Sequence, residues 1–172
     1  RQGTHIYDWN GQSYGLSLIQ LQAPNYHIQV IHEGDRLFSQ QNMTGAITAY
    51  ENALENDDLR FWFNDGPINT ISYGQYRLIL AYAFLGDSGG IIRTLDAMNA
   101  TFTVDEGETF ADLPIYVQMA NTFVETLSQV GDLYESCQAV QVIIAENEQA
   151  LGFINRYGRR SPTYTALELC PF

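Results

Sequence analysis

The side chains best suited to metal or acid–base chemistry are three histidines, His5, His27 and His32. His27 and His32 are five positions apart, so on a helix their side chains lie on different faces. Helical histidines that bind one metal ion are normally separated by four positions, and Glu33 beside His32 does not restore that geometry. We therefore predict no metal site at these residues.

Acidic residues are the second group that could carry chemistry. Residues 57–58 and 105–108 form two short acidic clusters, but neither has the alternating oxygen ligands of a calcium-binding loop. A chain with 20 acidic residues always contains carboxylate pairs, so such pairs do not identify a glycosidase. Ser88-Gly89-Gly90 is interpreted as the start of a helix. We predict that the chain is not an enzyme and has neither a catalytic residue nor a cofactor.

The charge balance limits the partners of the chain. Its formal net charge is −12, and all eight basic residues are arginines. Arg156, Arg159 and Arg160 form one small cluster, which is too little positive charge to neutralise a phosphate backbone. We therefore predict no nucleic-acid partner. No apolar run approaches the length that crosses a bilayer, so we also predict no membrane span.

Two cysteines, Cys137 and Cys170, are either two buried thiols or one disulfide bond. Cys170 lies in the tail LELCPF, and an apolar tail without regular structure needs an anchor, which favours the bond. Closing a loop of about 33 residues would stabilise the fold by roughly 3 kcal/mol. Because disulfides persist in oxidising compartments, we predict an extracellular or cell-surface protein.

Two triplets match the acceptor pattern for N-glycosylation, Asn42-Met43-Thr44 and Asn99-Ala100-Thr101. Both are compatible with export, although such triplets also arise often by chance. Asn42 and Asn99 are therefore candidate glycosylation sites.

The elements that must position these residues begin with a β-hairpin over residues 4–18. Asn10-Gly11 separates two runs in which apolar and polar residues alternate, and this dipeptide favours a two-residue type I′ turn. Two strands alone hide little apolar surface, so the hairpin must pack on the helices, join another sheet or pair with another copy. The apolar side chains predicted to make an assembly contact are Ile6, Trp9, Tyr14, Leu16 and Leu18.

From Pro24 onward the apolar residues recur at helical spacing. The helical pattern breaks at Asn42, Gly86 and Gly131, a spacing of about 44 residues that is typical of stacked helix–turn–helix units. We predict that six residues are buried at the seams of these units: Ala46, Tyr50, Ala53, Leu80, Ala81 and Ile92.

The stretch GDRLFSQQNMTGAITAYENALENDD (residues 34–58) resembles a tetratricopeptide repeat, and YRLILAYAFLGDSGGIIRTLDAM (residues 76–98) resembles a second copy. Residues 115–145 resemble a degenerate third copy. The linkers are longer than those of the family, and the proline that usually follows the second helix is missing. The resemblance implies a mainly α fold of three helix–turn–helix pairs in a short α-solenoid, and protein–protein binding rather than catalysis. The motif positions are occupied by Leu37, Ala46, Tyr50, Ala53 and Leu54 in the first copy, and by Tyr76, Leu80, Ala81, Leu85, Gly86 and Ile92 in the second.

The hairpin is similar to the terminal strands of β-propeller repeats in secreted bacterial proteins. Tyr7, Trp9 and Gly11 match the Tyr-x-Trp-x-Gly pattern that precedes a strand in those repeats. Because the chain also starts without methionine, we expect upstream sequence to be missing.

The run Phe61-Trp62-Phe63 has to face several directions. It either packs between helical pairs or forms an exposed platform for a carbohydrate or protein partner. The sequence leaves both interpretations open.

We predict three segments: a hairpin segment (1–22), a tetratricopeptide-like helical domain (23–155) and an irregular C-terminal tail (156–172). The predicted function is a structural or scaffolding role, in which copies associate head to tail, with an extracellular filament as one outcome. The alternative is an adaptor that holds a foreign peptide or glycan on its concave helical face.

Overall fold

The computed structural model describes residues 3–21, 23–64, 66–103, 109–110, 113–158 and 161–172. The fold is mainly α with an N-terminal hairpin, as predicted. Two strands come first, β1 (Gly3–Trp9) and β2 (Tyr14–Leu21). The helices that follow in these ranges are α1 (His27–Ser39), α2 (Met43–Glu55), α3 (Gly66–Leu85), α4 (Ser88–Thr101), α5 (Ile115–Val130), α6 (Leu133–Glu146), α7 (Gln149–Ile154) and α8 (Ala166–Leu169).

The first six helices form three helix–turn–helix pairs that break where the sequence predicted. Asn42 caps α2, with its side-chain oxygen accepting a hydrogen bond from the Gly45 amide at 3.1 Å. Gly86 and Gly131 end α3 and α5 with φ values of 70° and 69°, which glycine adopts without steric cost. These local signals confirm the predicted turns. Asp87 and Asp132 then cap α4 and α6 in the same way as Asn42.

Successive pairs pack side by side around one apolar core. The pairs α1–α2, α3–α4 and α5–α6 are joined by contacts of α3 with α2 and of α5 with both α3 and α4. The short α7 lies against α5, and α8 lies against α6. Five of the six residues predicted at the seams are fully buried: Ala46, Tyr50, Ala53, Leu80 and Ala81.

Ile92 is the exception, and its predicted burial is wrong. Ile92 is 57% exposed, whereas the preceding residue, Ile91, is 7% exposed. One residue along an α-helix turns the side chain by roughly 100°, so a small error in helix register exchanges the inner and outer positions. Leu85, at a packing position of the resembled motif, is exposed as well because α3 ends there. The inward positions of α4 are Gly90, Ile91, Thr94 and Met98.

The tail predicted to be irregular contains the short helix α8. Its start is stabilised by a capping box, in which Thr165 and Glu168 bond to each other's backbone amides. Tyr164, Leu169 and Cys170 from this segment are buried in the core. Residues 161–172 therefore complete the helical packing.

The predicted hairpin is present, but its turn differs from the prediction. Asn10 does not adopt the positive φ that a type I′ turn requires, and the loop spans residues 10–13. The Asn10 side-chain oxygen accepts hydrogen bonds from the amides of Gln12 at 3.0 Å and Ser13 at 2.9 Å. This side-chain bonding stabilises a longer loop, as asparagine commonly does in turns.

A glycine inside α1 is explained by close packing of α2. A Cβ atom at Gly34 would lie 2.7 Å from Cδ1 of the Tyr50 ring. That ring has little freedom to move, because the Tyr50 hydroxyl donates a hydrogen bond to Asp35 at 2.7 Å. Only glycine therefore allows α1 and α2 to approach this closely.

Replacing this glycine should destabilise the fold. We expect Gly34→Ala to lower the free energy of unfolding by about 1–3 kcal/mol, because the added methyl group overpacks the contact. The control is Gly152→Ala in α7, where a Cβ atom would meet no atom within 4 Å. That variant should leave the free energy of unfolding unchanged or raise it by up to about 1 kcal/mol. Urea unfolding measures both, and equal values for the two variants would contradict the close contact.

Candidate functional site

The most concentrated polar chemistry in the helical core surrounds Asp35 of α1. Its Oδ1 atom accepts hydrogen bonds from the Tyr50 hydroxyl at 2.7 Å and from Nε of Arg77 at 2.8 Å. Its Oδ2 atom accepts from the hydroxyls of Tyr73 at 3.0 Å and Tyr164 at 2.7 Å. One carboxylate therefore joins α1 to α2, to α3 and to the C-terminal tail.

The guanidinium of Arg77 completes this cluster from α3. Its side chain is 3% exposed, and Nη1 donates to the backbone oxygens of Glu168 at 2.9 Å and Leu169 at 3.2 Å. The Tyr76 hydroxyl donates to the same Leu169 oxygen at 3.0 Å, and Arg77 lies 4.6 Å from the centre of the Phe38 ring. A buried ion pair is tolerated when its remaining polar atoms are bonded in this way.

The tyrosines and the arginine of this cluster keep their protons around neutral pH. Burial, and then the Asp35 charge, raises the pKa values of Tyr50, Tyr73 and Tyr164 above the usual range, so all three phenols remain donors. Burial alone would lower the pKa of Arg77, but the neighbouring Tyr50 and Asp35 oxygens raise it above its usual value. These phenols and this guanidinium therefore act as hydrogen-bond donors that hold α1, α2, α3 and the tail together.

The tail that completes the cluster is held by further bonds. Cys137 of α6 is joined to Cys170 by a disulfide bond, as the sequence predicted, and the two Cα atoms are 5.4 Å apart. Tyr164 is fixed through its backbone, because the side chain of Asn155 accepts from its amide at 2.6 Å and donates to its carbonyl at 2.9 Å. The position of the Tyr164 hydroxyl on Asp35 therefore depends on bonds outside the cluster.

A surface groove of about 400 Å³ lies above the cluster, between α1, the end of α3 and the C-terminal tail. Its apolar lining includes Phe38, Phe84 and Phe172, and Arg36 lies at its polar side. Arg36 is half exposed and bonds to Glu33 through Nη2 at 2.6 Å and Nε at 3.1 Å. The groove therefore combines aromatic rings with the guanidinium of Arg36, whose charge is balanced by Glu33.

His32 also lines this groove, and its Nε2 atom is buried without a hydrogen-bond partner among the described residues. The imidazole contacts the rings of Tyr157 and Tyr164, at centroid distances of 5.7 Å and 5.9 Å. Burial lowers the pKa of His32, although the Asp35 carboxylate opposes this effect. The imidazole is therefore neutral at neutral pH.

The hairpin residues predicted to make an assembly contact are exposed to solvent or partly exposed. Trp9, Tyr14, Leu16 and Leu18 are each more than half exposed, and Ile6 is partly exposed. The rings of Trp9 and Tyr14 face each other across the strands at 5.1 Å. Within the described ranges, β1 and β2 pack extensively only on each other.

The strand register divides these residues between two faces. Leu16 pairs with Tyr7, whereas a β-bulge places Leu18 opposite Ile6. Neighbouring positions on a strand point to opposite sides, so Leu18 and Ile6 lie on the face opposite to Leu16 and Tyr7. Tyr7 is 52% exposed and joins Trp9, Tyr14 and Leu16 on the same face. This face is the larger apolar surface of the hairpin.

The aromatic run Phe61-Trp62-Phe63 divides between packing and exposure. Phe61 stacks on His27 at 4.2 Å, and the guanidinium of Arg156 lies 4.1 Å from the centre of the Phe63 ring. Trp62 lies 4.6 Å from the Tyr26 ring and remains 47% exposed. Phe61 and Phe63 therefore pack against neighbouring side chains, whereas Trp62 stays half exposed.

The remaining candidate sites lie apart from the cluster. Asn42 is an exposed helix cap, whereas Asn99 exchanges two side-chain hydrogen bonds with Asn121 at 3.1 Å and 2.9 Å, which a glycan would disrupt. Ser88 is the first residue of α4, as predicted, and it follows the helix α3, whereas the nucleophilic serine of a Gly-x-Ser-x-Gly motif follows a strand. In the part of the chain that the structure describes, no three metal-binding side chains come together, and no helix is long and apolar enough to cross a bilayer.

Sequence reasoning missed Asp35, Arg77 and the tyrosines that bond to them. A signal was present in α3, where Arg77 is the single charged residue in the apolar run YRLILAYAF. A charge at such a position needs a buried partner of opposite sign. Asp35, within the apolar stripe of α1, is the corresponding acid.

Comparisons with protein-family models, with curated proteins and with solved structures found no match for this chain. Its function is therefore argued from the geometry of its own residues.

Removing the charge of Asp35 should destabilise the fold strongly. We expect Asp35→Asn to lower the free energy of unfolding by roughly 3–5 kcal/mol, because the buried Arg77 loses its counter-charge. The control is Glu33→Gln, which removes the exposed ion pair with Arg36 and should cost less than about 1 kcal/mol. Urea unfolding at neutral pH measures both. If both variants lost the same small amount of unfolding free energy, the buried ion pair would stabilise the fold no more than the exposed one does.

The lowered pKa of His32 predicts a loss of stability in acid. In the unfolded chain the pKa of His32 has its ordinary value of about 6.5, whereas in the folded chain burial lowers the pKa, so the proton binds only at lower pH. Stability should therefore fall as the pH decreases below about 6.5. His32→Gln should reduce this decrease in unfolding free energy between about pH 7 and pH 5. Equal slopes for wild type and His32→Gln would contradict the prediction.

Proposed function

We propose that the chain is a non-catalytic structural module that associates with copies of itself through its N-terminal hairpin. The observation that carries this proposal is the exposed apolar face formed by Tyr7, Trp9, Tyr14 and Leu16. Exposed apolar patches on folded proteins commonly mark binding sites. The two-stranded sheet also leaves its outer edges open to another chain.

The packing of the helical pairs supports a tetratricopeptide-like solenoid as the body of this module. Ala46, Tyr50 and Ala53 occupy motif positions and are fully buried at the α1–α2 seam. Stacked helical repeats bury their faces on their neighbours and leave two different ends. A contact between unlike surfaces generates a filament when its rotation does not close into a ring. We therefore propose head-to-tail association.

An extracellular or cell-surface location agrees with this role. The Cys137–Cys170 bond would persist in an oxidising compartment. The net charge of −12 would keep separate filaments soluble and apart.

A second candidate function is an adaptor for a foreign peptide or glycan. Trp62 supports it, since a half-exposed indole beside the Tyr26 ring offers an aromatic surface on which an apolar side chain or a sugar could stack. The two functions differ in whether the purified chain associates without another component.

Sedimentation velocity of the full chain over a concentration series tests the main proposal. We expect species larger than a dimer at high micromolar concentration. Replacing both Trp9 and Tyr14 by serine should raise the dissociation constant at least about tenfold, because buried aromatic anchors dominate binding energy. The control is Leu167→Ser, which removes a side chain that is 71% exposed on α8. A wild-type chain that stays monomeric throughout would overturn the proposal and favour the adaptor.

A further inference from the structure

The groove between α1, the end of α3 and the tail has a lining suited to aromatic side chains. The ring of Phe172 lies 6.1 Å from that of Phe38 and 6.0 Å from that of Phe84. The thioether of Met43 is part of the same lining. Aromatic rings favour contacts with other rings and with thioether sulfur.

Arg36 adds a flat cationic surface to this lining. Its guanidinium is held in place by Glu33, and Nη1 also donates to Gln40 at 2.9 Å. Bonds to the edge of a guanidinium leave its two faces available for stacking on a ring. Because Glu33 already balances the charge, an uncharged aromatic partner fits better than an anion.

The groove and the hairpin are formed by different parts of the chain. The hairpin precedes the N-terminus of α1 at His27, whereas Arg36 and Ser39 of the groove lie near its C-terminus. At 1.5 Å per residue these ends are about 18 Å apart. The lining of the groove contains no residue of the described hairpin (3–21), so the hairpin of the same chain does not form a wall of the groove.

We propose that this groove receives the hairpin tip of a second copy, with the rings of Trp9 and Tyr14 as the inserted groups. The inference rests on the proposed self-association and names the surfaces that meet. The two rings lie together at 5.1 Å and are 57% and 72% exposed, so they form a ready-made aromatic pair. The groove volume of about 400 Å³ is in the range of small binding pockets.

The proposed contact joins two different surfaces, the hairpin of one copy and the groove of the next, as head-to-tail association requires. Each copy has one hairpin and one groove at different places, so every docked copy presents another free hairpin or free groove. We expect a contact limited to the hairpin tip to bury less than the roughly 1,600 Å² of a standard interface, so association should depend strongly on concentration. Filament growth then follows from one repeated contact.

The test uses full-length variants that are each defective in one surface. The hairpin variant carries serine at Trp9 and Tyr14, and the groove variant is Phe84→Glu. Its matched control is Leu85→Glu, the next residue of α3, which is similarly exposed but does not line the groove. We expect both defective variants to associate at least about tenfold more weakly than wild type, and the control to associate normally.

Mixing the two defective variants in equal amounts gives the sharper result. The hairpin variant keeps its groove, and the groove variant keeps its hairpin, so one intact contact remains between them. We expect a one-to-one dimer that does not grow, by sedimentation velocity. Ser39→Arg, a change at the exposed rim of the groove, replaces Phe84→Glu if circular dichroism shows that the latter unfolds.

The outcomes separate this inference from the function on which it rests. A wild-type chain that never associates overturns both. A wild-type chain that associates, with a groove variant that associates equally well alone, overturns only the groove and favours pairing between hairpins or strand edges. Failure of the mixed variants to form a dimer also overturns the groove as the receptor.

Discussion

The carboxylate of Asp35 and the guanidinium of Arg77 lie inside the helical core, where water does not stabilise either charge. Each charge therefore requires a full set of protein partners, since an unpaired buried charge costs several kcal/mol (roughly 3–5 when one partner of a pair is removed). Tyrosines from α2, α3 and the tail supply donors, and the backbone oxygens of Glu168 and Leu169 supply acceptors. The positions of α1, α3 and the C-terminal tail are thus mutually dependent.

Arginine serves a common purpose in several parts of this acidic chain, which contains no lysine. Arg60 lies over Tyr26, Arg77 over Phe38 and Arg156 over Phe63, with the guanidinium carbon 4.1–5.4 Å from each ring centre. A planar guanidinium can stack on a ring and form hydrogen bonds at its edge at the same time, which an ammonium group cannot do. The basic residues thus consolidate aromatic packing, while the acidic majority faces solvent and keeps the surface hydrated.

Local signals made much of the fold predictable. The helix breaks at Asn42, Gly86 and Gly131 follow from side-chain caps and positive φ values within a few residues, and the two strands follow from alternation. The type of the hairpin turn depends on hydrogen bonds of the Asn10 side chain, and the exposure of Ile92 depends on the register of α4. The local sequence pattern determines neither. The cluster at Asp35 was hidden for a different reason, because Tyr164 is 129 residues away in sequence. The groove likewise combines three segments that are distant in the chain, so no continuous motif could indicate it.

The late position of the tail has a consequence for synthesis. The ribosome delivers α1 to α4 well before Tyr164, Leu169 and Cys170, and domains begin to fold as their N-terminal parts emerge. During that interval Asp35 and Arg77 can meet, but the acceptors for Nη1 of Arg77 and one donor to Asp35 have not yet been translated. A nascent chain that stalls before residue 164 therefore buries an ion pair whose hydrogen bonds are incomplete.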